Sequence, residues 1–210
     1  MNQVTVKADS SGSPRSYQVD EVHRARDPLG LRAVHVPTPT SPPLGEIGFE
    51  TFHHVMRWIT RARPKTDRIA CPWLIRRFID PDAEISYLPP DEVLETARAD
   101  EGAHSFDAPG ADYTHRGDLC TFEVLIQEFD LGDDQALQRL AKIVHAADIS
   151  GALDTDPLGP GLLAIGEGGL DVEADDQTLL ERGMFVYDAL YAWCQRQQEN
   201  GNPGRTRIRS

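Results

Sequence analysis

The chain lacks any run of about 18 apolar residues of the kind that crosses a bilayer as a helix. Its N-terminus, MNQVTVKADSSGSPRSYQV, also lacks the apolar core of an export signal. The expectation is a cytoplasmic protein with no membrane partner. Cysteine is scarce: Cys71, Cys120 and Cys194 are odd in number, far apart and in no CxxC spacing. Neither a disulfide framework nor a thiolate zinc site is therefore suggested. Positive charge is also in short supply. Lys and Arg total 21 against 34 Asp and Glu, a net charge of -13, so no broad positive face is available for nucleic acid or anionic lipid. GxSxG, Walker A and GxGxxG patterns are missing too, which removes the usual support for serine hydrolase, P-loop and dinucleotide-binding readings.

What is present is a local exception to the acidity. From Arg57 to Arg77 stand seven cations (Arg57, Arg61, Arg63, Lys65, Arg68, Arg76 and Arg77) and one acid, Asp67, a local charge of +6. The segment reads as strand end, basic loop and helix start, which together supply guanidinium forks and free backbone N–H groups to an anion. Arg61, Arg63, Lys65 and Arg68 are the candidate anion ligands, for a small oxyanion or other small-molecule substrate. The competing reading is a solvated face, or ion pairs with the acidic remainder.

Residues 1–55, with Pro37, Pro39, Pro42 and Pro43 in PTPTSPPLG, read as a flexible or loosely docked extension. Residues 56–197 read as one domain and residues 198–210 as a polar basic tail. The fold class expected is α+β, predominantly helical, with a small β-α-β-α-β half followed by a helical half. Strands are expected at 55–60, 85–88 and 105–107. Helices are expected at 71–79, with Pro72 in the first turn, and at 91–98. In the second half, Asp118 is the expected N-cap of a helix carrying Leu119, Phe122, Leu125, Ile126 and Phe129. Helices at 134–149, 162–166 and 176–197 follow. The last has Leu180, Met184, Tyr187, Tyr191 and Cys194 on one stripe, and Gly183 to admit a close neighbour.

The sharpest polar anomaly is Asp148, in the middle of the apolar stripe formed by Leu137, Ala141 and Val144. A core-facing carboxylate must be paired, protonated or metal-bound, and His145, three residues earlier, points to the same side. Upstream, THRGDLCTFE offers His115 before a helix and Glu123 on that helix's flank. His115, Glu123, His145 and Asp148 are thus the candidate ligands of one transition-metal ion. Two imidazoles with two carboxylates suit iron, manganese or zinc. A hydrogen-bonded structural pair is the plainer alternative. Cys71, near a helix start, and Cys120 are the thiols placed for a redox or ligand role, against the simpler reading of small buried side chains.

TRARPKTDRIACPWLIRRFID, FDAPGADYTHRGDLCTFE, AKIVHAAD and VYDALYAWC, in that order, resemble the C-terminal domain of ChrB-type chromate-resistance proteins over about Met56 to Arg196. The resemblance implies association with chromate resistance, and metal or oxyanion involvement. Full-length ChrB regulators carry a separate N-terminal domain, whereas residues 1–55 are too short and Pro-rich for a winged helix, so no nucleic acid is expected as a partner of this chain alone. The leading expectation is a metal-binding domain in the response to chromate or oxidative stress, its basic loop recruiting an anion beside the metal. The alternatives are a metal-dependent enzyme, either an iron or manganese redox enzyme such as one dismuting superoxide or a zinc hydrolase, and a non-catalytic interaction module.

Overall fold

A computed structural model describes residues 56–201. The extension 1–55, including the first expected strand residue, and the end of the tail lie outside the described residues. Three strands, β1 (Arg57–Arg61), β2 (Glu84–Leu88) and β3 (His104–Ser105), form a parallel sheet in the order β2-β1-β3. Trp58 stands opposite Ile85 on one side and His104 on the other. Six α-helices complete the described chain: α1 (Asp67–Leu74), α2 (Val93–Ala99), α3 (Thr121–Glu128), α4 (Gln135–Asp148), α5 (Gly159–Val172) and α6 (Asp176–Gly201). The architecture is α+β and mostly helical, as the sequence pattern indicates.

The central strand β1 is buried on both faces, which its alternating side chains serve separately. Trp58 packs into the main core, with Trp73 of α1, Phe122 of α3 and Leu137 of α4. Ile59 points the other way, into a smaller cluster with Val93 and Ala97 of α2 and Ala108. The α6 stripe lies where its 3.6-residue period puts it, with Leu180, Met184, Tyr187, Tyr191 and Cys194 all buried. Gly183 admits the neighbour expected of it: a Cβ there would stand 2.5 Å from Ile69 Cγ2 of α1.

Four local expectations need correction. Helix α1 begins at Asp67, so Pro72 lies inside it and not in its first turn. Pro72 has no N–H to give the Arg68 carbonyl four residues back, and the Tyr87 hydroxyl of β2 donates to that carbonyl instead, at 2.7 Å. Beyond the proline the helix widens into a π turn over Ile75–Ile79. The N-cap of α3 is Cys120 and not Asp118, because Glu123 reaches back to the Cys120 N–H at 3.0 Å and closes a capping box. The third correction is α5, which runs through IGEGGL well past the short helix expected there. Tertiary packing against α4 overrides the poor helix propensity of its glycines. At the other end, α6 continues to Gly201, beyond the expected stop at Gln197.

Candidate functional site

Open parallel sheets bind ligands outside the carboxyl ends of their strands, where the connections diverge. Here the chain leaves β1 through the basic loop into α1 and runs from β3 through Phe106 to Asp107, and these neighbouring exits flank a cavity of about 280 Å³. Arg61, Lys65, Asp67 and Arg68 line it from the β1 side, Asp107 from the β3 side, and His115 and Asp148 close it.

Asp67 is the first residue of α1 and is almost fully buried, its side chain 1% exposed. Its Oδ2 accepts from the backbone N–H groups of Thr121 at 2.6 Å and Phe122 at 3.3 Å, so it occupies the positive end of α3. Its Oδ1 is buried and has no hydrogen-bond partner among the described residues. Asp148, at the end of α4, accepts the Asp67 N–H on Oδ1 at 3.4 Å, at the start of α1. His115 Nε2 stands among three carboxylates, 3.3 Å from Asp148 Oδ2, 3.5 Å from Asp67 Oδ2 and 3.5 Å from Asp107 Oδ1. One donor atom each from Asp67, His115 and Asp148 lie within 4.8 Å of one another, and the 3.3 Å and 3.5 Å separations of His115 Nε2 from Asp148 and Asp67 are near the ~3.6 Å between two ligands bound at about 2.2 Å in a tetrahedral site. The buried Oδ1 of Asp67 is an oxygen that either a proton or a cation would satisfy, since a buried lone carboxylate oxygen is costly.

The expected four-ligand set is divided by the structure. His115 and Asp148 meet at the cavity, and Asp67 joins them. Glu123 and His145 pair with each other, Oε2 to Nδ1 at 2.7 Å, while the same Glu123 oxygen caps Cys120. His145 and Asp148 share a side of α4, but α3 lies against one and the start of α1 against the other. Among the described residues, neither Glu123 nor His145 belongs to a cluster with metal-ligand geometry.

The basic residues divide as well. Arg61 donates from Nε to the Asp107 carbonyl at 2.7 Å and from Nη2 to its Oδ2 at 3.1 Å, and Arg68 Nη1 lies 3.6 Å from the same oxygen. Lys65 lines the cavity and pairs with Glu167 of α5 at 3.6 Å. Arg63 does not line it: its guanidinium donates to the carbonyls of Leu170, Glu173 and Ala174, and its N–H to Asp176. Arg63 therefore holds the end of α5 and the start of α6. Cys71 and Cys120 are fully buried, and burial is the main reason both thiols are raised well above the ordinary value. Neither is poised to be a thiolate at neutral pH.

Asp67 and Asp107 line the cavity but are not among the candidate ligands drawn from the sequence. The signal for Asp67 was its standing as the single acid among seven cations. Nothing local marks Asp107 apart from the FDAPGAD turn, since its role depends on β3 lying beside β1.

Burial pushes the Asp67 carboxyl up from 3.8 to about 7, with the nearby Asp148 and Asp107 charges adding to it and His115 opposing it. Asp148 is raised too, by burial first and Asp107 second. His115 is raised by its contact with Asp67. A carboxyl raised in the fold carries an extra proton relative to the unfolded chain between 3.8 and about 7, so stability is lost as pH rises through that window. His115 acts in the same sense, its contribution present below 6.5 and lost as pH rises through its folded value. His104, pushed down by burial, opposes them. Metal-free protein is therefore expected to melt lower at about pH 8 than at about pH 5.5, and Asp67→Asn to flatten the difference. Thermal melts in chelator check this, and an identical pH response in the variant would contradict it.

Among the described residues no helix is long and apolar enough to cross a membrane. No solved structure matches the chain. A curated relative, "Protein ChrB" from Cupriavidus metallidurans, is 37% identical over 141 residues, which is 67% of this chain and 41% of the relative. The chain thus spans less than half the length of the curated relative that it matches. The family model described as "ChrB, C-terminal domain" matches residues 58–194, from the first core residue of β1 to the last buried residue of the α6 stripe. The chain belongs to the ChrB C-terminal-domain family.

Proposed function

We propose that the domain binds one iron, manganese or zinc ion through Asp67, His115 and Asp148, and recruits a small oxyanion to Arg61, Lys65 and Arg68 as part of a response to chromate or related oxidative stress. The observation that carries the metal is the buried, unpartnered Asp67 Oδ1 in a cluster of two carboxylates and one imidazole. Oxygen and imidazole donors without thiolate suit these three metals, and three protein ligands leave positions for water or substrate. The link to chromate rests on the ChrB family relation.

Charge decides the order of events. Asp67, Asp107 and Asp148 together offset the cations lining the cavity, and Arg61 already serves Asp107. An oxyanion entering the metal-free site meets these carboxylates; a divalent cation offsets two of their charges and makes the cavity receptive. The experiment is metal content per chain after purification without added metal and after reconstitution, followed by titration with molybdate, a redox-inert tetrahedral oxyanion. About one ion per chain, with molybdate binding that disappears on chelation, is expected. Absence of stoichiometric metal in every preparation contradicts the reading. Excess metal at about 100 times Kd should also add roughly 2.7 kcal/mol of stability.

The partial exposure of His115, whose side chain is 39% accessible, favours a second reading, a metal-dependent enzyme with the open position facing the cavity. Turnover that is lost with the metal, and in an Asp148→Asn variant that still folds, separates catalyst from sensor.

A further inference from the structure

Asp107 is built into the cavity in a way that the metal alone does not require. It sits at φ 46, a left-handed conformation that aspartate adopts at some cost and most residues avoid. It is held there through its backbone: its N–H donates to the Tyr113 carbonyl at 2.9 Å, and its own carbonyl accepts from Arg61 Nε at 2.7 Å. This places the carboxylate, 9% exposed, against Arg61 and Arg68 through Oδ2. Its Oδ1 accepts from the Thr121 hydroxyl at 3.2 Å and faces His115 Nε2 at 3.5 Å. The Arg68 Nε, buried, has no partner among the described residues, so the carboxylate leaves the donor capacity of the two guanidinium groups incompletely used.

We infer that Asp107 is a tethered counter-ion occupying the oxyanion subsite, and that it makes the site select doubly charged tetrahedral oxyanions over singly charged ones. This rests on the reading of the basic wall as an anion site. A free monoanion that replaces Asp107 on the arginines gains no charge and competes against a group held at high effective concentration by its own backbone. A dianion brings a second charge and more acceptor oxygens, enough to engage both guanidinium groups together. The displaced carboxylate keeps the Thr121 hydroxyl and His115 as neighbours, on the side of the cavity where Asp67 and Asp148 lie. Asp107 thereby sets both the charge of the ligand and the threshold for its entry.

Molybdate and perchlorate are tetrahedral oxyanions of similar form that differ in charge, and they make the test direct. Binding of each is measured by calorimetry on zinc-loaded and chelator-treated protein, for the wild type, Asp107→Asn and Asp107→Gly. Both replacements tolerate a left-handed backbone, so a folding defect in one leaves the other as the probe. The wild type is expected to take molybdate when zinc-loaded and perchlorate under neither condition. In the variants perchlorate binding becomes measurable, and the preference for molybdate falls by about tenfold or more. An unchanged preference in folded variants, or no anion binding by any form, overturns the inference. A protein that takes no zinc yet loses its charge preference on replacement of Asp107 supports the inference while removing the metal reading.

Discussion

Asp67→Asn is expected to lower metal occupancy from about one ion per chain to a trace, with affinity weakened by about 100-fold or more. The amide keeps an oxygen that can accept from the Thr121 and Phe122 N–H groups, so the cap on α3 survives while the anionic donor is lost. Loss of a supporting partner around a metal ligand typically costs about 10- to 100-fold, and loss of a charged ligand costs more. His115→Ala and Asp148→Asn should behave alike. Glu123→Gln is the informative contrast, because Glu123 serves the Cys120 cap and His145 and lies outside the cluster. It should retain metal within a few-fold of the wild type. Elemental analysis of the four variants, with melting curves in chelator to establish folding, checks this. Retention of metal by Asp67→Asn together with loss in Glu123→Gln reverses the assignment.

Trp73→Ala is expected to cost about 3–5 kcal/mol of stability, the largest effect foreseen from a single core replacement. Trp73 is fully buried in α1, with its ring centroid 5.5 Å from Phe78, 5.6 Å from Tyr191, 6.2 Å from Tyr187 and 6.4 Å from Phe122. Its Nε1 donates to Asp188 at 2.7 Å, and Arg77 pairs with both oxygens of the same carboxylate. Removing the indole opens a cavity between α1, α3 and α6 and takes one donor from Asp188. Trp73→Phe keeps most of the packing and leaves Arg77 on Asp188, so its cost should be smaller, roughly 1–3 kcal/mol. Urea unfolding of the metal-free proteins measures both. A loss below about 1 kcal/mol for Trp73→Ala contradicts the placement of this ring at the centre of the core. Because α1 carries Asp67 in its first turn, the weakened variant should also bind metal less tightly.

The fold was legible where one periodicity governed a whole element. The α6 stripe, the inner face of α4 and the close approach at Gly183 follow from 3.6-residue spacing. The boundaries that shifted depend on partners distant in sequence. Pro72 is tolerated inside α1 because Tyr87 satisfies the carbonyl that it leaves bare, and α5 persists through its glycines because α4 covers it.

The candidate site divided along the same line. Asp148 announced itself as a carboxylate in an apolar stripe, and His115 as an imidazole just ahead of a helix. Their separation from Glu123 and His145 was not legible, since it depends on which helix ends converge. Asp67 caps α3 from the start of α1, and Asp148 meets the start of α1 from the end of α4. Arg63 stands only two residues beyond Arg61, the last residue of β1, yet its left-handed backbone, φ 58, accompanies a side chain that reaches the end of α5. Charge counting alone cannot separate these two arginines.

Asp67, His115 and Asp148 are proposed to hold a metal beside the basic wall. Anomalous diffraction from crystals of manganese- or zinc-loaded protein tests this assignment most directly. One strong peak bounded by these three side chains is expected, at about 2.0–2.2 Å from a donor atom of each, with Glu123 and His145 still paired away from it. A peak at the Glu123–His145 pair, or none in metal-loaded crystals, would contradict it.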